Sequence, residues 1–395
     1  MPARTTTAGT TRAAVARIDV LTVELPFRFS FGHALAARRS STNVLVRLEL
    51  DDGSVGYGEG VPREYVTGET VEGAVEALVE RLAPPLLGRT LTSPGDVPDA
   101  AEETGEAAGA YDLASRCALE LALLDAAGKH FGISVQHWLG RSPAPIVEYD
   151  AIVPFSSPRK LKALALVIRA LGFRNVKVKV GDDLDEDVRK LIALRRILGH
   201  KVDLRVDANC AWNAEEALGA IERMRPARIS AVEQPVPADD LEGLRRVTAS
   251  TSETIIVDES LRTVEEANVL AESRACDAFN IRVSKCGGLL QSAKIAAIAA
   301  ENGLDCVVGA QVGESGILSA AGRHLAATIR PRYVEGSAGR LLLKEDLSAE
   351  SVLPRRRGRA RSFTGPGLGI TVKEATLRKY GRLEQCLQAR TVTAR

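Results

Sequence analysis

From about residue 145 the chain repeats one pattern: a short apolar run, then a stretch of helical period. IVEYDAIVP reads as a strand and SPRKLKALALVIRALG as a helix. NVKVKVG is followed by DEDVRKLIALRRILG, DLRVDAN by NAEEALGAIERMRP, and ISAVEQPV by DLEGLRRVTAST. TIIVDES precedes TVEEANVLAESRA, AFNIRVSK precedes LQSAKIAAIAAENG, LDCVVGA precedes GILSAAGRHLAATI, and YVEGS ends the series. Eight strands alternating with seven helices predict a parallel barrel. A doubly wound open sheet is the alternative, but it normally carries a Gly-rich phosphate loop after its first strand, and none is present.

The first part of the chain has a different rhythm. RIDVLTVELPF and STNVLVRLELDDGSVGYGEG are strand-like, with DDG as a hairpin turn. FRFSFGHALAARRSST between them reads as a loop, and TVEGAVEALVERLAPPLL and YDLASRCALELALLDAAGKHFG as helices. The expected fold is therefore α/β: a modified TIM barrel, (β/α)7β, with an N-terminal α+β capping domain. The expected divisions are a flexible tail over 1–15, the cap over 16–140, the barrel over 141–345, and a C-terminal segment over 346–395 that packs back on barrel and cap.

Composition narrows the picture only a little. The 395 residues carry 52 Lys and Arg against 51 Asp and Glu, a formal charge of +1, so no global field favours nucleic acid or a membrane. The basic run LPRRRGRARS reads as a solvated return segment. No apolar run is long enough to span a bilayer. The start lacks the apolar core of a secretory signal, and the six cysteines form no CxxC pair, which predicts reduced thiols and a cytoplasmic protein.

Chemistry-bearing residues cluster where barrel active sites lie, at the C-terminal strand ends. The second strand ends with Lys177 and Lys179, which period-2 geometry puts on one face. An unpaired buried lysine is costly, so the pair needs carboxylates, a metal site or a substrate beside it. The third, fourth and fifth strands end with Asp207, Glu233 and Asp258. Each could cap the helix that follows. Three carboxylates at one βα spacing, side by side on the rim, instead call for a cation, and hard oxygen donors favour Mg²⁺, with Mn²⁺ as a possible substitute.

Together VKVKVG, DANCAW, AVEQPV, VDES and NIRVSKCGGL resemble the enolase superfamily, and within it the muconate lactonizing subgroup, whose hallmark is a KxK motif on the second strand. The resemblance covers residues 16–380. It implies metal ligands at Asp207, Glu233 and Asp258, a catalytic base at Lys179, and Lys177 as the companion that contacts the metal-bound carboxylate oxygen. It also implies a small-molecule carboxylate as substrate and a homo-oligomer, dimer or octamer. Glu314 resembles a glutamate that the subgroup places near the site. Phe29, His33, Arg63 and Tyr65 fall where the family's cap covers the barrel mouth, and are expected to set specificity.

Two departures matter. The subgroup usually reads N-I-K on the sixth strand; here Arg282 stands at the lysine position, and Lys285 follows three residues on. Dipeptide epimerases carry Asp-x-Asp on the eighth strand, where this chain has Tyr333-Val334-Glu335-Gly336-Ser337. An arginine is a poor base. The expected chemistry is Mg²⁺-dependent abstraction of the proton α to a carboxylate, giving an enediolate, through Lys179 alone: cycloisomerisation or syn elimination. The alternatives are a two-base racemase or epimerase of an amino-acid derivative, with Lys285 as the second base, and a non-catalytic barrel acting as a binding protein.

Overall fold

The computed structural model describes residues 12–33, 36–109, 112–154, 158–336 and 338–389; at 30–33, 36–38 and 158 it describes the backbone alone. Eight parallel strands form one curled sheet in sequence order: Ala151–Val153, Asn175–Lys179, Asp203–Asp207, Ala231–Glu233, Thr254–Val257, Ala278–Ile281, Asp305–Val308 and Tyr333–Val334. Seven helices alternate with them, from Pro158–Leu171 to Gly316–Ile329. The Asp150 N–H donates to the Val334 carbonyl at 2.7 Å and joins the two edges. This is the expected (β/α)7β barrel, and the cap domain is present as well.

The barrel interior is layered. Ala231, Ile256, Ala278, Val307 and Tyr333 form a separate buried apolar cluster. They lie on five successive strands, and only an inward orientation brings them together. Two residues further along each strand, the same parity gives Glu233, Asp258, Asn280, Gly309 and Glu335. The interior thus turns from apolar to charged within one pleat, and everything beyond that level faces the barrel mouth.

The cap is an antiparallel sheet of Ala13–His33, Ala36–Leu50 and Val55–Gly60, completed by the C-terminal strand Gly381–Gln388 beside the first. This added strand packs the end of the chain on the cap. Two expectations need correction. The first strand begins at Ala13, inside the stretch read as tail; Ala13 and Val15 are fully buried and pair with Leu91 and Leu50. Residues 1–11 lie outside the described residues. The stretch read as a loop over 27–42 continues the two strands as a hairpin, with Phe31 opposite Arg38 and His33 opposite Ala36. Phe27, Phe29 and Phe31 alternate with Arg28 and Ser30, so the strand period was present in the stretch read as a loop. The basic run forms a short strand, Arg359–Arg361, paired with Ile146–Glu148. Among the described residues no helix is long and apolar enough to cross a membrane.

The cap sheet lies directly on the helix Leu113–Phe131. Gly56, Gly58 and Gly60 sit on the face where a Cβ would overlap the carbonyl oxygens of Ala122, Ala118 and Ala114. The alternation GYGEG therefore allows close backbone approach. The cap is tied to the barrel by Glu59, whose carboxylate accepts from Asn43 Nδ2 (2.7 Å), Ser315 N (2.9 Å) and Ser315 Oγ (2.6 Å). The Val61 N–H donates to Ser284 Oγ at 2.8 Å. Gly58→Ala, which forces helix and sheet apart, is expected to cost about 2–3 kcal/mol in urea unfolding, whereas Gly53→Ala in the open hairpin turn should cost less.

Candidate active site

The second strand points both lysines inward, but their surroundings differ. Lys177 is buried at 2% exposure. Its Nζ lies 3.1 Å from Glu233 Oε1, 3.0 Å from Asp207 Oδ2 and 2.7 Å from Glu335. Burial alone would lower its proton affinity; Glu233, Glu335 and Asp207 reverse this and hold it above the ordinary lysine value. Lys179, one pleat nearer the mouth, keeps 25% of its side chain exposed. It donates to Asp207 Oδ2 and Asn209 Oδ1, each at 2.6 Å. Asn209 in turn donates to Glu259 Oε1 at 3.0 Å. Asn209 and Cys210 are left-handed, with φ of 45° and 64°. This turn brings the amide back over the lysine, and such backbone strain is concentrated at functional sites.

Below the lysines lies Arg205, fully buried in the middle of the third strand. Its guanidinium reaches Glu233 Oε2 (2.7 Å), Asp150 Oδ2 (3.0 Å) and Glu335, and stacks 4.7 Å above the Tyr333 ring. Two buried cations thus hold together carboxylates from the first, third, fourth and eighth strands. Burial opposes the charge on Glu335, but Lys177 and Arg205 pull its carboxyl down to about 2. Asp207 is likewise held well below the carboxylate range by Lys179 and Lys177 against the cost of burial. Burial and the nearby Asp207 push Glu233 up.

The three predicted ligands suit a hard divalent cation in kind. Asp207 and Glu233 are register neighbours, and Asp258 ends the next strand. In this structure each is bound to side-chain cations instead: Asp207 to both lysines, Glu233 to Lys177 and Arg205, Asp258 to Arg282 and Lys285. Among the described residues no three His, Cys, Asp or Glu side chains converge closely enough to grip an ion. The carboxylates carry the charge that a dication needs, and they must turn from these partners to reach one.

Arg282 is paired with Asp258. The sixth strand ends at Ile281, so strand parity no longer governs Lys285, which an alternating strand would point away from the barrel. The turn after the strand brings Lys285 back inside: its Nζ donates to Asp258 O (2.5 Å), Asp258 Oδ1 (2.9 Å) and Asn280 O (2.9 Å). It is fully buried, and burial pushes its ammonium down to about 8. It braces Asp258 from behind.

The remaining candidates divide. Glu314 Oε1 accepts from the Gln311 N–H at 2.6 Å, and burial, with Glu59 nearby, pushes its carboxyl up to about 8. Arg63 is buried and donates to Ser41 Oγ and to the carbonyls of Thr42, Pro62 and Val312, joining the cap to the loop after the seventh strand. Phe29 is 56% exposed on the first cap strand. Tyr65 lines a cavity of about 710 Å³ between cap and barrel, with Cys210 and Glu259. The His33 side chain and Ser337 lie outside the described residues. Sequence reasoning gave no role to Asp150, Arg205, Asn209, Asn280 or Gln311. An arginine at an inward position between Leu204 and Val206 was the readable signal for one of them.

Comparison with known proteins places this arrangement. Residues 13–140 match the model for the mandelate racemase / muconate lactonizing enzyme N-terminal domain, and residues 160–376 the model for the enolase C-terminal domain-like family. The chain is 33% identical to an L-Ala-D/L-Glu epimerase of Bacillus subtilis over 90% of this chain and 96% of that one. It is 31% identical to a muconate cycloisomerase 1-2 of Acinetobacter lwoffii over 90% and 91%. A dipeptide epimerase of Enterococcus faecalis V583, solved in complex with Mg and the dipeptide L-Leu-L-Tyr, superposes with a TM-score of 0.83 at 28% identity, covering 91% and 99%.

The buried network generates a stability prediction. Arg205→Met removes the cation shared by Asp150, Glu233 and Glu335 and leaves buried carboxylates uncompensated. It is expected to cost about 3–5 kcal/mol in chemical denaturation near pH 7, with part of the loss recovered in Arg205→Met/Glu335→Gln.

Proposed function

The chain belongs to the mandelate racemase / muconate lactonizing enzyme family of the enolase superfamily and is an enzyme of isomerase type; from that premise we propose that Lys179 removes the proton α to the carboxylate of a small-molecule substrate. The observation that carries this reading is the division between the two lysines. Lys177 is locked among three carboxylates, while Lys179 is 25% exposed and held by Asp207 and Asn209 at the barrel mouth. A base must reach substrate, and of the two only Lys179 can.

Asp207, Glu233 and Asp258 would hold Mg²⁺, or Mn²⁺ in its place. The bound ion would supply fixed positive charge for the substrate carboxylate as its α-proton leaves. Lys177 and Arg205 are the counter-charges of Glu233, and Lys285 that of Asp258, and the carboxylates would turn from them towards the ion. Arg282 follows the sixth strand, across the barrel from the second. A guanidinium stays protonated, so it favours developing negative charge but does not act as a base. Lys285 is tied to two backbone carbonyls and has no exposure. One base on one face gives cycloisomerisation or syn elimination.

The names of several relatives favour a second reading, inversion at the α-carbon. It needs a proton donor on the Arg282 side. Glu314, kept protonated near neutral pH by burial, is the side chain in that loop able to supply one.

Incubation of substrate in D₂O separates the readings. Lys179→Ala is expected to slow α-exchange at least about 100-fold, and EDTA, Asp207→Asn or Asp258→Asn to abolish turnover. Exchange at the wild-type rate in Lys179→Ala, or full activity in EDTA, would sink the proposal. Label appearing with inversion, and lost in Glu314→Gln, would select the second reading.

A further inference from the structure

Gln234 follows Glu233 at the end of the fourth barrel strand, and its backbone is left-handed, with φ of 37°. Nothing local favours that conformation. Glutamine carries a Cβ, and a residue before a proline, here Pro235, prefers extended backbone. Such strain persists only where the surroundings impose it. Here the surroundings are the ends of the neighbouring strands. The fourth and fifth strands pair in parallel with Ile256 opposite Glu233, and the Gln234 N–H continues the ladder by donating to Ile256 O at 2.8 Å. The next bond of a parallel ladder would run from the Asp258 N–H to the Gln234 carbonyl. The left-handed turn takes that carbonyl away. It accepts instead from the Cys210 N–H at 2.9 Å, in the loop after the third strand.

The side chain replaces what the backbone gave up. Gln234 Oε1 accepts from the Asp258 N–H at 2.9 Å and from the Ser260 N–H at 3.2 Å. Its Nε2 donates to Val236 O at 2.9 Å and to Ser260 Oγ at 2.8 Å. The residue is fully buried, and both lone pairs and both hydrogens of the amide are used. A hydrocarbon side chain would leave the buried Asp258 N–H without its partner. Through backbone and side chain together, one residue joins the strand ends that carry Asp207, Glu233 and Asp258. It also tethers the loop in which Asn209, next to Cys210, holds Lys179.

We propose that Gln234 is a positioning residue: its side-chain amide stands in for its own diverted carbonyl, so the third- and fifth-strand ends are held at once and Asp207, Glu233 and Asp258 keep a fixed relation to one another. The proposal rests on the reading that these three carboxylates hold Mg²⁺.

The test compares Gln234→Met, which keeps the length and loses the amide, with Gln234→Gly, which adopts a left-handed backbone without strain and also lacks the amide. Metal-free full-length enzyme is followed by hydrogen exchange over residues 257–261 and by titration calorimetry with Mg²⁺. Both variants should exchange at Asp258 and Ser260 at least about tenfold faster than wild type, and should bind Mg²⁺ about 10–100-fold more weakly. Leu48→Ala, a cavity in the core of the cap sheet, should lower the melting temperature and leave both readouts unchanged. Wild-type exchange at Asp258 in either variant would overturn the proposal, because that N–H is then held by something else. Wild-type Mg²⁺ affinity in Gln234→Gly would overturn it too, because the backbone turn alone would then suffice. Equal changes in Leu48→Ala would show general loosening and overturn it as well. The two readings fail separately: a wild type that binds no Mg²⁺ removes the metal reading, while exchange at Asp258 still decides the role of Gln234.

Discussion

The barrel mouth depends on one buried contact set, Lys177 and Arg205 against Asp150, Asp207, Glu233 and Glu335. Bringing two cations out of water costs several kcal/mol each. That cost is tolerable only because carboxylates on two strands and at the ends of two others point at them at once. The same contacts fix where the sheet edges meet, since Asp150 precedes the first strand and Glu335 follows the eighth. Closure of the barrel and placement of its charges are thus one event. Removing any member leaves the others buried and unmatched, which couples function to fold more tightly than a surface site would.

Above that layer the side chains divide by depth. Those in the charged layer, Lys177, Glu233 and Glu335, serve as counterions to one another. Those nearer the mouth, Lys179 and Arg282, keep 25% and 13% of their side chains exposed. The cap completes the arrangement by gripping the loop after the seventh strand through Glu59 and Arg63, so Glu314 and Gln311 are positioned from outside the barrel. The close packing of Gly56, Gly58 and Gly60 on Ala-lined helix surface makes the cap a rigid support for that grip.

Much of this was legible in the chain. The alternation of short apolar runs with helical stretches gave the barrel, and the acids at one βα spacing lie with the KxK lysines at the C-terminal strand ends. The hairpin arms over 27–42 were read as a loop although Phe27, Phe29 and Phe31 alternate with Arg28 and Ser30 at strand period. The place of Lys285 was not legible, because the sixth strand stops at Ile281 and the turn after it decides where the lysine goes.

The sequence by itself determined what local periodicity encodes: which residues alternate inward on each strand, and so which strand ends carry Lys179, Asp207, Glu233, Asp258 and Arg282. Only the tertiary structure decided which partners those residues meet. That Lys177 is a buried counterion and Lys179 is not, that Glu335 is held by Arg205, and that Gln311 keeps its amide unmatched among the described residues all depend on contacts between strands far apart in the chain. Side-chain parity is fixed within a few residues of backbone, but the partner of a buried charge is fixed by the closure of the whole sheet.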